Sequence, residues 1–128
     1  MPQSALSRKL QVKAKSRITV IGAPPGYLDL LTPLPEGVQV TDALTGLYDI
    51  VHAFFERLDD LLAAVDRLKA ALVDGGILWI SYPKLTAKRD SDLNRDLIWK
   101  ALGALGLKAV SQIAVDDVWS AMRFKKVE

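Results

Sequence analysis

The chain has 128 residues, of which half are hydrophobic and a quarter are charged, and its formal net charge at pH 7 is +2. This composition is typical of one globular domain with a core, and it excludes a disordered or membrane-embedded chain. Cysteine is absent and histidine occurs once, which excludes disulfides, thiolate metal sites and a cysteine nucleophile and argues against any metal site or serine triad.

The charges are unevenly distributed along the chain. Residues 1–17 carry five basic groups and no acidic group, 18–83 are mainly acidic and 84–128 are mainly basic. We interpret 1–16 as a basic N-terminal arm or short helix of a single domain spanning 1–128. The arm lacks the apolar centre of a signal peptide, and no apolar run is long enough to span a bilayer, so we expect a cytoplasmic protein without membrane contact. The basic groups have no interleaved aromatic residues, which argues against nucleic-acid binding.

The first part of the chain predicts two strands separated by a proline-rich stretch. The β-branched run 17–22 predicts a central strand that ends in a glycine. Four prolines between 23 and 47 leave room for a helix over 27–32 and a short strand over 38–40. The six residues 42–47 then lead to the next strand, which is a short connection for a parallel return without a helix.

The middle of the chain predicts a strand, a helix and a second strand. The apolar runs 48–55 and 76–82 are typical of buried strands. Between them, leucine and valine recur every three or four residues from 58 to 72, which predicts an amphipathic helix that Gly75 and Gly76 end. A crossover of this length predicts a parallel, right-handed unit.

The C-terminal part predicts a further helix and a hairpin. The helix is expected over 92–105, capped by Ser91 or Asp92. Only two residues separate the strands predicted over 107–115 and 118–127. A connection this short joins antiparallel strands, so the two form a hairpin. The predicted fold is therefore a small α/β domain with a doubly wound, mostly parallel, Rossmann-like sheet of strand order 2-1-3-4-6-5, ending in an antiparallel strand.

Several motifs resemble class I S-adenosylmethionine-dependent methyltransferases in reduced form. In that family one strand ends in a G-x-G-x-G-like loop, here RITVIGAPPG at 17–26, and a later strand opens with an aromatic-Asp-apolar-apolar run, here YDIV at 48–51. LVDGG at 72–76 resembles the family's L-K-P-G-G-like turn. The resemblance covers nearly the whole chain but lacks one strand with its helices. The chain is also similar to a group of small uncharacterised bacterial proteins with YPK, here 82–84, and D-x-x-W-S-A-x-R, here 116–123.

The resemblance implies cofactor contacts at Gly22, Gly26 and Asp42. In the family an acid precedes the first glycine, a second glycine follows two positions on, and an acid after the second strand binds ribose hydroxyls. Here Val20 and Pro24 occupy the first two of these positions, and proline removes both space and an N–H donor. Asp42 matches the ribose-binding acid, although an aspartate in a turn is equally expected on backbone grounds. The altered loop predicts that no cofactor is bound, while S-adenosylmethionine remains the candidate that the family implies.

A second group of polar residues is predicted at the carboxyl ends of later strands, where open α/β sheets bind ligands. Tyr82 and Lys84 end one strand, and Asp116 and Asp117 end another. Lys84 with either aspartate forms a binding or acid–base pair, or else a salt bridge that pins the intervening loop to the hairpin. Arg123, in the last strand, completes these ligand-binding candidates.

The remaining residues of chemical interest have a structural explanation. His52 lies within an apolar strand and is expected to be a packed residue with one hydrogen bond rather than a general base. The three tryptophans, Trp79, Trp99 and Trp119, are expected in or near the core. No catalytic residue is predicted.

Three functions remain open at this stage. The altered loop favours a methyltransferase-like domain without methyl transfer, which binds a small anionic ligand or a protein through the crevice around Lys84 and Asp116. The alternative is an S-adenosylmethionine-dependent methyltransferase with an atypical cofactor loop. A third hypothesis is a structural or oligomerisation domain, for which an exposed apolar patch at 27–34 would be the sign.

Overall fold

The computed structural model describes residues 3–87 and 89–127. Its helices and strands, in chain order, are α1 (Ala5–Lys9), β1 (Arg17–Ile21), α2 (Tyr27–Leu31), β2 (Gln39–Thr41), β3 (Tyr48–Phe54), α3 (Leu58–Ala70), β4 (Leu72–Pro83), a 3₁₀ turn (Leu85–Ala87), α4 (Arg95–Gly103), β5 (Leu107–Ala114) and β6 (Trp119–Lys126). The strands form one sheet in the order β2-β1-β3-β4-β6-β5. Strands β1 to β4 pair in parallel and β6 is antiparallel to both of its neighbours, so the predicted fold class and strand order are confirmed.

Both faces of the sheet are covered, because successive side chains of a buried strand point to opposite sides. In β3, Val51 and Ala53 belong to a core formed with α3 and α4. Ile50 and Phe54 belong to a second core formed with α1 and α2. Trp79 lies in this second core, where its indole N–H donates to the backbone carbonyl of α1's last turn at 3.2 Å. No helix in residues 3–87 and 89–127 is long and apolar enough to cross a membrane.

The connection from β2 to β3 needs only the six residues 42–47, because β2 is short. Thr41, the last residue of β2, lies opposite Thr19, while Ile18 lies opposite Ile50 in β3. The connection therefore moves back by about 10 Å along the strands and by two strand spacings of about 4.8 Å, which six residues span. The strand predicted at 38–40 is displaced by one residue.

The boundary between α3 and β4 lies earlier than predicted. The helix ends at Ala70 and the strand begins at Leu72, because Leu72 already pairs with Tyr48. Gly75 and Gly76 therefore lie inside β4, where the pairing with β3 shifts register. Gly75 has a φ of +75°, and a Cβ on Gly76 would lie 2.9 Å from a backbone oxygen. The prediction that these glycines end the helix was wrong, because they form an irregularity of the strand.

The start of α4 also differs from the prediction. The helix begins at Arg95, and its N-cap is Asn94, whose side chain accepts a hydrogen bond from the Leu97 N–H at 2.9 Å. Asp92 instead accepts from the backbone N–H of Leu58 at 2.8 Å, so it caps the start of α3. The predicted capping role of Ser91 or Asp92 on α4 was wrong, because Asp92 bonds to the first residue of α3 and the Ser91 hydroxyl donates to the carbonyl of Glu56 just before that helix.

Candidate functional site

A cleft of about 820 Å³ lies at the carboxyl ends of β1 and β2, and we call it the β1–β2 cleft. It is lined by the end of β1, the loop 22–26, the first turn of α2 and the end of β2. Gly22, Gly26 and Asp42, the three residues that the resemblance assigned to a cofactor, all line it. The structure therefore brings these three residues together around one cleft.

The two glycines of the loop have left-handed backbone conformations, which favour glycine. The φ angles are +73° for Gly22 and +85° for Gly26. A Cβ on Gly22 would lie 3.1 Å from the carbonyl oxygen of Phe54, whereas no atom lies within 4 Å of a Cβ on Gly26. Gly22 therefore provides both a turn and a close approach to β3, while Gly26 provides the turn that leads into α2.

The side chains that line the β1–β2 cleft are apolar or acidic, apart from the hydroxyl-bearing Tyr27 and Thr41. Asp29 and Asp42 are exposed carboxylates that line it, and no lysine, arginine or histidine does. Pro24 and Pro25 supply no N–H, and the Tyr27 N–H already donates to the Pro24 carbonyl at 3.2 Å. A bound anion would meet two negative charges here.

This lining fits one part of S-adenosylmethionine and not the other. Asp42 can accept hydrogen bonds from vicinal hydroxyls such as those of ribose. The amino-acid part carries a carboxylate and an ammonium, but the cleft has no basic side chain, and the position before the loop is the buried Val20 instead of an acid. The residues present therefore do not fit the complete cofactor.

A buried hydrogen-bonded chain lies directly behind the cleft. The hydroxyl of Tyr27 is 2.7 Å from Nδ1 of His52, and Nε2 of His52 is 2.5 Å from Oγ of Ser81. All three side chains are buried, and the ring of Phe54 stacks on the imidazole at 4.4 Å between centroids. Burial raises the pKa of Tyr27 and lowers the pKa of His52 to about 3. His52 is therefore a neutral packed residue with both ring nitrogens engaged, one more partner than the sequence predicted.

A second cleft, of about 470 Å³, lies on the other face of the sheet, and we call it the α4 cleft. It lies between the end of β4, the 3₁₀ turn, the first residues of α4 and the hairpin β5–β6. Tyr82 and Lys84 line it, as do Arg95, Gln112 and Ser120. Gln112 donates its side-chain N–H to the Tyr82 hydroxyl at 2.9 Å.

Asp116 and Asp117 do not line this cleft. One carboxylate oxygen of Asp116 accepts from the backbone N–H groups of Val118 and Trp119, both at 2.8 Å, and so closes the hairpin turn. Asp117 is exposed, and no ion pair joins Lys84 to an acid among the described residues. The expected pair of Lys84 with one of these aspartates does not form, because the turn backbone satisfies Asp116 locally.

Arg123 also lies away from the α4 cleft. It is opposite Trp79 in the sheet and donates to the side-chain oxygen of Gln11 at 3.0 Å, on the face covered by α1. Ser120, three positions earlier in β6, faces α4 instead. Side chains an odd number of positions apart on a strand point to opposite faces, so Arg123 cannot share a site with Tyr82.

The ion pairs of the loop after β4 join it to the segment before α3 and not to the acids of the hairpin. Arg89 donates two hydrogen bonds to the Glu56 carboxylate at 3.1 and 3.2 Å, and Arg57 pairs with Asp90 at 2.6 Å. These hydrogen bonds raise the pKa of Arg89, whose guanidinium also lies over the ring of Trp119. Arg89 and Glu56 line a third cleft, of about 350 Å³, which shares Gly22, Pro24 and Pro25 with the β1–β2 cleft.

Comparison with known proteins identifies the fold. No protein-family model and no curated protein sequence matches the chain. Among solved structures, it is similar to a fibrillarin pre-rRNA processing protein from Methanococcus jannaschii, with 14% identity over 91% of this chain and 69% of that one and a TM-score of 0.63. It is similar to a TehB-like SAM-dependent methyltransferase from Corynebacterium glutamicum, with 12% identity over 96% and 88% and a TM-score of 0.62. A third similar structure is the DhpI-SAM-HEP complex, with 13% identity over 85% and 78% and a TM-score of 0.58.

These neighbours confirm the resemblance at the level of the fold. The chain has the class I S-adenosylmethionine-dependent methyltransferase fold, in the reduced form that the sequence predicted. At such low identities the likeness concerns architecture, and the chemistry of the site must be argued from the side chains.

Proposed function

We propose that the chain is a methyltransferase-like domain that binds a small ligand in the β1–β2 cleft and transfers no methyl group. The observation that carries this proposal is the altered loop, where Val20 and Pro24 stand at the positions that an acid and a glycine occupy in methyltransferases of this fold. Asp29 and Asp42, which have no basic counterpart in the lining, determine which ligand charge the cleft favours. Two carboxylates favour an uncharged or cationic ligand with hydroxyl donors and repel phosphates and carboxylates.

Asp42 is the residue that would recognise the ligand. It follows β2 directly, and its neighbours in the cleft include the apolar Val20 and Val40. A carboxylate that accepts hydroxyl donors contributes roughly 1.5–3 kcal/mol, or roughly 10- to 100-fold in affinity. A nucleoside, with vicinal hydroxyls and an aromatic base, combines both properties and is the probe we choose.

The absence of methyl transfer is supported by the groups around the cleft. The loop lacks the partners that the amino-acid part of the methyl donor requires. His52 is neutral and engaged at both nitrogens, so it offers no base to a substrate. At the end of β3, Phe54 and Phe55 stand where a polar group would have to position a nucleophile.

The second candidate is an S-adenosylmethionine-dependent methyltransferase. Two observations favour it. Gly22, Gly26 and Asp42 line one cleft, and one similar structure is a complex with SAM while another is a SAM-dependent methyltransferase. The two candidates differ in whether the amino-acid part of the donor adds affinity.

Calorimetric titration separates these candidates. Adenosine, S-adenosylmethionine, S-adenosylhomocysteine and ATP are titrated into the wild type, Asp42→Asn and the control Asp66→Asn, an exposed acid of α3 outside the clefts. We expect adenosine to bind, ATP not to bind, and S-adenosylmethionine to bind no more than about threefold more tightly than adenosine. Asp42→Asn should weaken adenosine binding about tenfold, whereas Asp66→Asn should not.

Two results would overturn the proposal. No adenosine binding at millimolar concentration would mean that the β1–β2 cleft does not recognise a nucleoside. Binding of S-adenosylmethionine at about 100 μM or tighter, and more than tenfold more tightly than adenosine, would favour the methyltransferase.

A further inference from the structure

The α4 cleft is separate from the β1–β2 cleft. The two clefts share no lining residue, and they lie near opposite edges of the sheet, one beside β2 and the other beside β5. Tyr82 packs in the core formed with α3 and α4, whereas Tyr27 of the β1–β2 cleft packs in the core formed with α1 and α2. A ligand of one cleft would therefore not contact the other.

The charge of the α4 cleft is opposite to that of the β1–β2 cleft. Lys84 and Arg95 line it, together with one acid, Asp96, which pairs with Arg95 at 3.3 Å. Lys84 is half-buried and forms no ion pair with an acid of the described residues. An ammonium without an acidic partner leaves uncompensated positive charge in a concave polar surface, which favours an anion there.

The inner wall of this cleft consists of hydroxyl groups. Tyr82 and Ser120 are 5% and 7% exposed, and both line the cleft. Burial raises the pKa of Tyr82, against the opposing effect of the Arg95 charge, so the phenol keeps its proton at neutral pH. Thr86, on the exposed side, adds a third hydroxyl. Three hydroxyls and two cations therefore line one cleft and can act as donors to a ligand there.

We propose that the α4 cleft is a binding site for a small phosphomonoester, held by Lys84 and Arg95 with hydroxyl donors from Tyr82, Ser120 and Thr86. A phosphate has three terminal oxygens and accepts from a fork-shaped guanidinium and an ammonium at the same time. Its charge near −2 at neutral pH gains more from the net positive charge of the lining than the single charge of a monocarboxylate does. The cleft volume of about 470 Å³ leaves room for a small organic group beside the phosphate.

The test follows backbone amide chemical shifts by NMR. Inorganic phosphate, glucose 6-phosphate, succinate and glucose are added at constant ionic strength. Both phosphates should shift a common set of amides, at 82, 84–86, 94–96, 112 and 120, in a saturable manner, and glucose should not. Succinate, a dicarboxylate, should bind at least about fivefold more weakly than glucose 6-phosphate. Equal binding of succinate would overturn the phosphate assignment.

Variants identify the charges that are responsible. Lys84→Met should weaken glucose 6-phosphate binding about tenfold, and Arg95→Gln, on a largely exposed side chain, should weaken it to a similar extent. The matched control is Lys108→Met, since Lys108 is an exposed lysine of β5 outside the cleft. An equal loss in Lys108→Met, or shifts spread over all surface lysines, would overturn the site and leave only non-specific attraction.

The phosphate test is independent of the nucleoside proposal. Asp42→Asn should leave the affinity for glucose 6-phosphate unchanged, because Asp42 lies in the other cleft. Failure of adenosine binding would therefore remove the function proposed for the β1–β2 cleft without affecting the α4 cleft. No saturable shift with either phosphate at 20 mM would remove the α4 site alone.

Discussion

The pH dependence of unfolding depends on the chain's one imidazole. His52 is 0% exposed, and burial lowers its pKa from the ordinary value of 6.5 to about 3. As the pH falls below about 6.5, the unfolded chain binds a proton that the folded chain does not, so the free energy of unfolding decreases until the pH reaches about 3. At about 1.4 kcal/mol per pH unit, over roughly two units between pH 6.5 and 4.5, the loss is about 3 kcal/mol. Above pH 7 His52 contributes no pH dependence.

Urea denaturation at pH 7.0, 6.0, 5.0 and 4.5 measures this loss in the wild type and in His52→Gln. Carboxylates titrate in both proteins, so the difference between the two curves isolates the imidazole. We expect the wild type to lose about 3 kcal/mol more than the variant between pH 7.0 and 4.5. Since the sequence contains one histidine, the ring protons can also be followed directly by NMR, and they should not titrate in the folded protein above pH 5.

Two results would refute this reasoning. Parallel stability curves for the wild type and His52→Gln would show that His52 has the same pKa in the folded and unfolded chains. An imidazole resonance that titrates in the folded protein with a midpoint near 6 would show that water or a neighbouring acid reaches the ring. The NMR measurement needs no variant, so it decides the question even if His52→Gln does not fold.

Three further predictions concern stability and are measured by urea denaturation at pH 7. Asp92→Ala should lower the free energy of unfolding by about 1 kcal/mol, because it removes the cap of α3; no change would mean that water replaces the cap. Asp116→Ala should cost about 1–3 kcal/mol, because two turn N–H groups lose their acceptor, and an unchanged value would contradict that role. Gly22→Ala should cost more than Gly26→Ala, since both strain the backbone by about 1–2 kcal/mol but only Gly22 also approaches β3; the reverse order would contradict the contact.

The fold was predictable because its determinants are local. Apolar residues are nearly continuous in the buried strands and recur every three or four positions in α3. Each pattern can be recognised within its own segment. The limits of α3 and α4 were not predictable, because they depend on contacts between distant residues. Asp92 caps a helix that begins 34 residues earlier, and Gly75 is required by the pairing of β4 with β3.

Local sequence signals likewise explain the position of some candidate site residues but not of others. Gly22, Gly26 and Asp42 line one cleft because they lie at or after the ends of neighbouring parallel strands, and their contact with a cofactor stays a prediction. Asp116 was misplaced, since an aspartate in a turn bonds first to the backbone N–H groups two or three positions on. The Tyr27–His52–Ser81 chain joins residues 25 and 29 positions apart, and no spacing in the sequence indicates such a contact.

The β1–β2 cleft exists for a topological reason that is independent of any cofactor. From β1 the chain continues to β2 on one side, and the next strand, β3, is added on the other side of β1. The strand order therefore reverses at β1, and an open sheet forms a crevice at such a topological switch point. A reduced methyltransferase fold therefore keeps this crevice even where Val20 and Pro24 replace the groups that the family uses. The fold alone does not distinguish a retained function from a retained shape, and our proposal therefore rests on the side chains: Val20 and Pro24 remove partners of the amino-acid part, whereas Asp42 keeps an acceptor for hydroxyl donors.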